Sequence, residues 1–147
     1  AMAMADRIAV LVDGEVVQFG TPEELWQRPN HPFVAATIAD LQPLKGRIEG
    51  TQCVTAFGAL PLRLLALTAD LAEGTSVPIG VRPSSLTVSL EGPCVVNDIR
   101  FLGDRYTLLI SADNQSLEVA TALKPKVTVG DKVSISFAAA QAVILQP

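Results

Sequence analysis

The spacing of apolar and polar positions changes character near residue 41. Before it, Ile8, Val10 and Val12 alternate with Ala9 and Leu11, and a second β-prone run covers 15–19. Asp13-Gly14 separates the two runs. That pattern predicts a hairpin over 7–12 and 15–19, because both central residues of a type I′ turn need positive φ. Gly20 ends the second run, and Thr21-Pro22-Glu23-Glu24 predicts a helix start. Thr21 is placed to cap, Pro22 fits the first helical position, and Glu24 can close a capping box. Leu25 and Trp26 give that helix an apolar side. Pro29 and Pro32 bracket a break at Asn30-His31, after which 33–39 resumes a helical period. Residues 1–5 are helix formers with no N-cap before them and read as the tail of a helix.

From Leu41 the texture is β-type, with Pro43 and Gly46 marking the change. Strands are expected near 45–49, 53–57, 60–64, 77–81, 86–90, 94–101, 106–110, 117–122, 132–137 and 143–145. Turn signals such as Glu91-Gly92-Pro93 and Gly130-Asp131 punctuate them. Residues 65–72 fit either a strand extension or one helical turn. Many short strands at this spacing predict a mainly β fold, a small barrel or sandwich, over 41–147. Residues 1–40 stand apart as a hairpin with short helices.

Charge narrows the functional classes. The chain has 147 residues and a formal charge of −4. Residues 1–40 hold six acids and two bases, and the remainder holds nine of each. Neither part offers the basic field that nucleic acid requires. Two cysteines, Cys53 and Cys94, are too few for a disulfide framework or a four-ligand zinc site, and buried free thiols are expected. The lone His31 has no second histidine or paired cysteine, so a surface loop position is expected. Trp26 reads as a packing anchor on a short helix.

The stretch Met4-Ala5-Asp6-Arg7-Ile8-Ala9-Val10-Leu11, the hairpin, Gly20-Thr21-Pro22-Glu23-Glu24 and Arg28-Pro29…Pro32-Phe33-Val34-Ala35 resemble the end of the nucleotide-binding domain of ABC-transporter ATPases, importer branch. Ile79-Gly80-Val81-Arg82-Pro83, Phe101-Leu102-Gly103-Asp104 and Val129-Gly130-Asp131-Lys132-Val133 resemble the OB-like TOBE regulatory domain that follows in that family. Ser84 stands where the family pattern has Glu. The resemblance implies an OB-like β-barrel or sandwich over 41–147, preceded by a remnant of the nucleotide-binding domain over 1–40. It also implies that the chain is a C-terminal piece of a longer, bacterial-type ATPase subunit. That subunit would bind ATP and Mg²⁺ and drive solute uptake with membrane permeases, on the cytoplasmic face of the membrane.

The sequence contains no Gly-x-x-x-x-Gly-Lys-Ser/Thr phosphate loop, no Leu-Ser-Gly-Gly-Gln signature and no apolar strand ending in Asp-Glu. No catalytic, cofactor or metal residue is therefore assigned, and the expected role is regulation or contact between two copies. The hairpin, with one uncovered apolar face, is expected to pair across to a second copy. The alternative is an oxyanion-binding OB module, as in molybdate systems of the family, with Ser84, Ser85 and Thr87 as candidate ligands. Arg82 is the further candidate. Its guanidinium can hold an anion or a partner's carboxylate, or it can bond turn carbonyls of its own chain.

Overall fold

The computed structural model describes residues 6–66, 72–137 and 142–144, and is mainly β. Strands β1 (Ile8–Val12) and β2 (Glu15–Gly20) form the hairpin, with Asp13 at φ 51 and Gly14 at φ 80 as the type I′ geometry demands. Helix α1 (Pro22–Gln27) opens with Thr21 Oγ1 accepting from the Glu24 N–H at 3.2 Å. Helix α2 (Pro32–Thr37) is capped by His31, whose Nδ1 accepts from the Phe33 N–H at 3.0 Å. The histidine expected to idle on a loop is thus a helix cap.

The hairpin finds its cover within the chain. Val10 is buried against Leu25 of α1 and Val34 of α2, with Ile8, Val17 and Ile38 packed around them. The face expected to need a second copy is therefore closed by the two helices. The opposite face, with Leu11, Val16 and Phe19, stays exposed.

The rest of the chain builds two sheets. The six-stranded sheet runs β5-β4-β3-β7-β12-β6, from β3 (Gln42–Glu49), β4 (Gln52–Thr55), β5 (Gly58–Pro61), β6 (Leu65–Ala66), β7 (Ser76–Val81) and β12 (Ala142–Ile144). The four-stranded sheet runs β10-β9-β8-β11, from β8 (Thr87–Phe101), β9 (Tyr106–Ala112), β10 (Gln115–Thr121) and β11 (Lys132–Ser136). Their inner faces share one core: Leu44, Ile48, Leu60 and Ile79 from the first meet Val96, Ile110, Leu117 and Val133 from the second. Strand β3 shows why. Leu44, Gly46 and Ile48 point inward, and Lys45, Arg47 and Glu49 outward, with the period of two that a half-buried strand imposes. Cys53 and Cys94 lie in this core, free and fully buried. Burial raises both thiol pKa values.

The strands expected at 86–90 and 94–101 are one strand. Glu91-Gly92-Pro93 does not turn the chain back; it bends β8. Glu91 takes φ 68, and the register on β11 jumps from Lys132↔Val95 to Val133↔Leu90. The extra residues bulge out, which lets one strand serve two directions of a curled sheet. Residues 62–64 form a single 3₁₀ turn ahead of β6, while 67–71 of the ambiguous stretch lie outside the described residues, as do 1–5.

One side chain ties the two sheets. Gln42 Nε2 donates to the Glu118 carbonyl at 2.6 Å, and the Glu118 N–H donates to Gln42 Oε1 at 2.8 Å. A side-chain amide here pairs with β10 as a neighbouring strand would.

Candidate functional site

Strand β7 ends at Val81, and the next residues carry the candidates. Arg82 is extended (φ −89, ψ 135), and Pro83 opens a 3₁₀ turn over Pro83–Ser85. Pro83 lacks the N–H that a continuing ladder would need. Ser85 closes the turn, its Oγ donating to the Arg82 carbonyl at 2.8 Å and its N–H to the same oxygen at 3.1 Å.

Arg82 is the one buried charged or polar side chain among the described residues, 6% exposed. It points away from the sheet surface and toward the helices. Its Nε donates to the Ala39 carbonyl at 2.9 Å, and Nη2 donates to the Trp26 carbonyl. The guanidinium carbon lies 4.3 Å from the centre of the Trp26 ring, a cation–π stack. Burial lowers the guanidinium pKa from its usual value, and the Asp40 carboxylate opposes that shift. Of the two roles the sequence left open, the geometry has Arg82 bonding carbonyls of its own chain.

Ser84 and Thr87 face elsewhere. Both are exposed and line an open groove of about 850 Å³ between the first half of β8 and the segment after β10. Leu86, Leu108, Val119 and Val127 form its buried floor. Leu90, 59% exposed, and Leu123, 79% exposed, stand on its walls. Arg105, Lys124 and Lys126 line it with Asp104, giving a mainly apolar trough with positive edges. A smaller cavity of about 270 Å³ mixes Asp40, Asp98 and Glu118 with Arg100 and Arg105. Arg100 is already paired with Asp98 at 2.8 Å, so this cavity favours neither sign of ligand.

The four candidates therefore do not converge. Arg82 is spent on two carbonyls, Ser85 on the turn, and only Ser84 and Thr87 share a surface. Two partners of Arg82, Trp26 and Ala39, lie 56 and 43 residues away in sequence and carry no local signal of the contact. Lys124-Pro125-Lys126 is a short basic cluster in the sequence, and its place beside an apolar trough depends on β8 and β9, which are distant along the chain. Among the described residues no group of His, Cys, Asp or Glu is arranged to hold a metal ion, and no helix is long and apolar enough to cross a membrane.

Residues 79–145 match the TOBE domain family. The Fe(3+) ions import ATP-binding protein FbpC of Streptomyces coelicolor is 34% identical, over 99% of this chain and 41% of its own length. The spermidine/putrescine import ATP-binding protein PotA of Acidothermus cellulolyticus is 36% identical over 78% of this chain and 33% of its own. The sn-glycerol-3-phosphate import ATP-binding protein UgpC 2 of Agrobacterium fabrum is 32% identical over 69% and 28%. The chain thus spans less than half the length of these relatives. The molybdate-bound crystal structure of the cytoplasmic molybdate-binding protein ModG overlaps 71% of this chain and 96% of that one, at 13% identity and a TM-score of 0.48, too loosely to carry a ligand across. With a mainly β, OB-like architecture, a TOBE match over 79–145 and import ATP-binding proteins as relatives over 69–99% of its length, the chain belongs to the ATP-binding subunits of ABC importers, as their C-terminal, TOBE-bearing region.

Proposed function

We propose that this region regulates an importer ATPase by bracing two ATPase subunits against each other, and that it performs no catalysis itself. The parent subunit would bind ATP and Mg²⁺ through other residues and work with membrane permeases on the cytoplasmic face. The sequence has no phosphate loop, whose stacked N–H groups and lysine cradle the phosphates, which supports placing that chemistry elsewhere in the parent subunit. The transported solute is left open, since the relatives' names span iron, polyamines and glycerol phosphate.

The observation that carries the bracing role is the groove. Leu90 and Leu123 expose large apolar side chains beside a recessed apolar floor, and contiguous patches of this kind mark contact surfaces. Lys124 and Lys126 at its edge set orientation more than affinity. A paired arrangement in which each copy offers the same face satisfies both halves at once.

Sedimentation of the 15.5 kDa chain tests this. A dimer at high micromolar concentration, broken by Leu90→Lys or Leu123→Lys, is the expected result, and a wild-type monomer under those conditions refutes it. Saturable binding of ATP at micromolar concentration would overturn the non-catalytic assignment. The oxyanion reading loses its buried cation, because Arg82 is engaged. Calorimetric titration with molybdate or sulfate is expected to give no heat of binding.

A further inference from the structure

We propose that Arg82 is a positioning residue that locks helices α1 and α2 onto the β unit, so that the N-terminal segment and the TOBE domain move as one body. The inference goes beyond the bracing role and stands or falls separately from it, since it concerns contacts inside one chain.

The argument begins with helix ends. The last carbonyls of an α-helix have no partner within the helix. Trp26 lies in the last turn of α1, and Ala39 lies just past α2. Arg82, rooted at the end of β7, reaches the carbonyls of both residues with one guanidinium. The planar fork offers several donors in fixed directions, so one acceptor in α1 and one just past α2 are held in a fixed relation to each other and to the sheet. The Trp26 ring covers the face of the same group and keeps water from it.

Among the described residues, apolar packing adds to this junction. Ala35, Ala39 and Leu41 make a small apolar cluster with Val143. The turn that carries the chain across it holds Asp40 at φ 54, and the Leu41 N–H donates to the Ala35 carbonyl at 2.8 Å. Small alanines and a left-handed turn give little packing of their own. Arg82 is the group that couples three elements there.

Trp26 is the single tryptophan of the chain, so its emission reports on the joint directly. Arg82→Met keeps bulk and removes every donor. In that variant Trp26 emission is expected to shift to the red, and amide exchange in residues 24–41 to accelerate by roughly a hundred-fold, while β8 to β11 keep their protection. Arg82→Lys is expected to behave like the methionine variant, because one ammonium cannot span both carbonyls. In the wild type, denaturant transitions followed by Trp26 emission and by far-UV circular dichroism are expected to coincide. Three results would each overturn the proposal: unchanged exchange in 24–41, full rescue by lysine, or separate transitions in the wild type. Loss of all folded structure in Arg82→Met would also overturn it, by making Arg82 a core residue and not a joint.

Discussion

Replacing Gly92 with alanine probes the bend in β8. A Cβ built on Gly92 lies 2.5 Å from the Ser134 backbone nitrogen and closer still to the Val133 carbonyl oxygen. Both obstacles are main-chain atoms, so no rotamer change relieves them. Either β11 moves away from β8 or the bulge at 91–94 opens. Both disturb Val133 and Ile135, which are 0% and 8% exposed and hold the edge of the core. Overpacking a filled site costs about 1–3 kcal/mol, and a clash against backbone belongs at the upper end, about 3 kcal/mol. For a chain of this size that lowers Tm by roughly 10 °C. Urea titration followed by circular dichroism measures the change at constant slope. A loss below about 0.5 kcal/mol, the range of an unremarkable surface change, would show that β8 and β11 do not press together at Gly92.

Three further outcomes follow from the same geometry. Gly46→Ala drives a methyl into the Cys53 sulfur and is expected to cost about 1–3 kcal/mol; adding Cys53→Ala should recover part of that in a double-mutant cycle, whereas no side-chain truncation rescues Gly92→Ala. Because burial raises the Cys53 and Cys94 thiol pKa values, the unfolded chain ionises first as pH rises past the ordinary value of 9.0; stability should fall above that pH, and Cys53→Ala/Cys94→Ala should flatten the decline seen in urea titrations. His31→Ala should cost about 1 kcal/mol by uncapping α2, and His31→Asp should restore it, as measured by thermal unfolding.

The parts of the fold written in local chemistry were readable in advance. Asp13-Gly14 dictates a hairpin because few residue pairs accept two positive φ values in succession. Thr21-Pro22 dictates a helix start because its partner, the Glu24 N–H, is three residues away. Glu91-Gly92-Pro93 misled because turns and bulges draw on the same residues: a positive φ followed by glycine bends a strand or reverses it, and the choice depends on β11, some forty residues later. The hairpin's cover was misassigned for a related reason. Val10 alone does not reveal that Leu25 and Val34 will fold back on it. At the candidate site, Arg82 stood out as a cation following an apolar strand, yet its acceptors are main-chain carbonyls, which every residue has. The groove is invisible along the chain because Ser84 and Lys124 belong to segments brought together only by the closing of the sheets.

Gln42 carries a consequence for how this pair of sheets behaves at its margin. Strand β10 is the last in its sheet, and an uncovered strand edge invites other chains to add to it. The glutamine amide occupies both polar groups of Glu118, so an incoming strand meets a position where donor and acceptor are already taken. At its midpoint the β10 edge is thus closed to an added strand, and the Pro83–Ser85 turn packs against the same strand. Losing these two side-chain hydrogen bonds would free the Glu118 backbone while both sheets keep their ladders. Gln42→Ala would therefore leave a folded molecule whose weakness is not unfolding but stickiness.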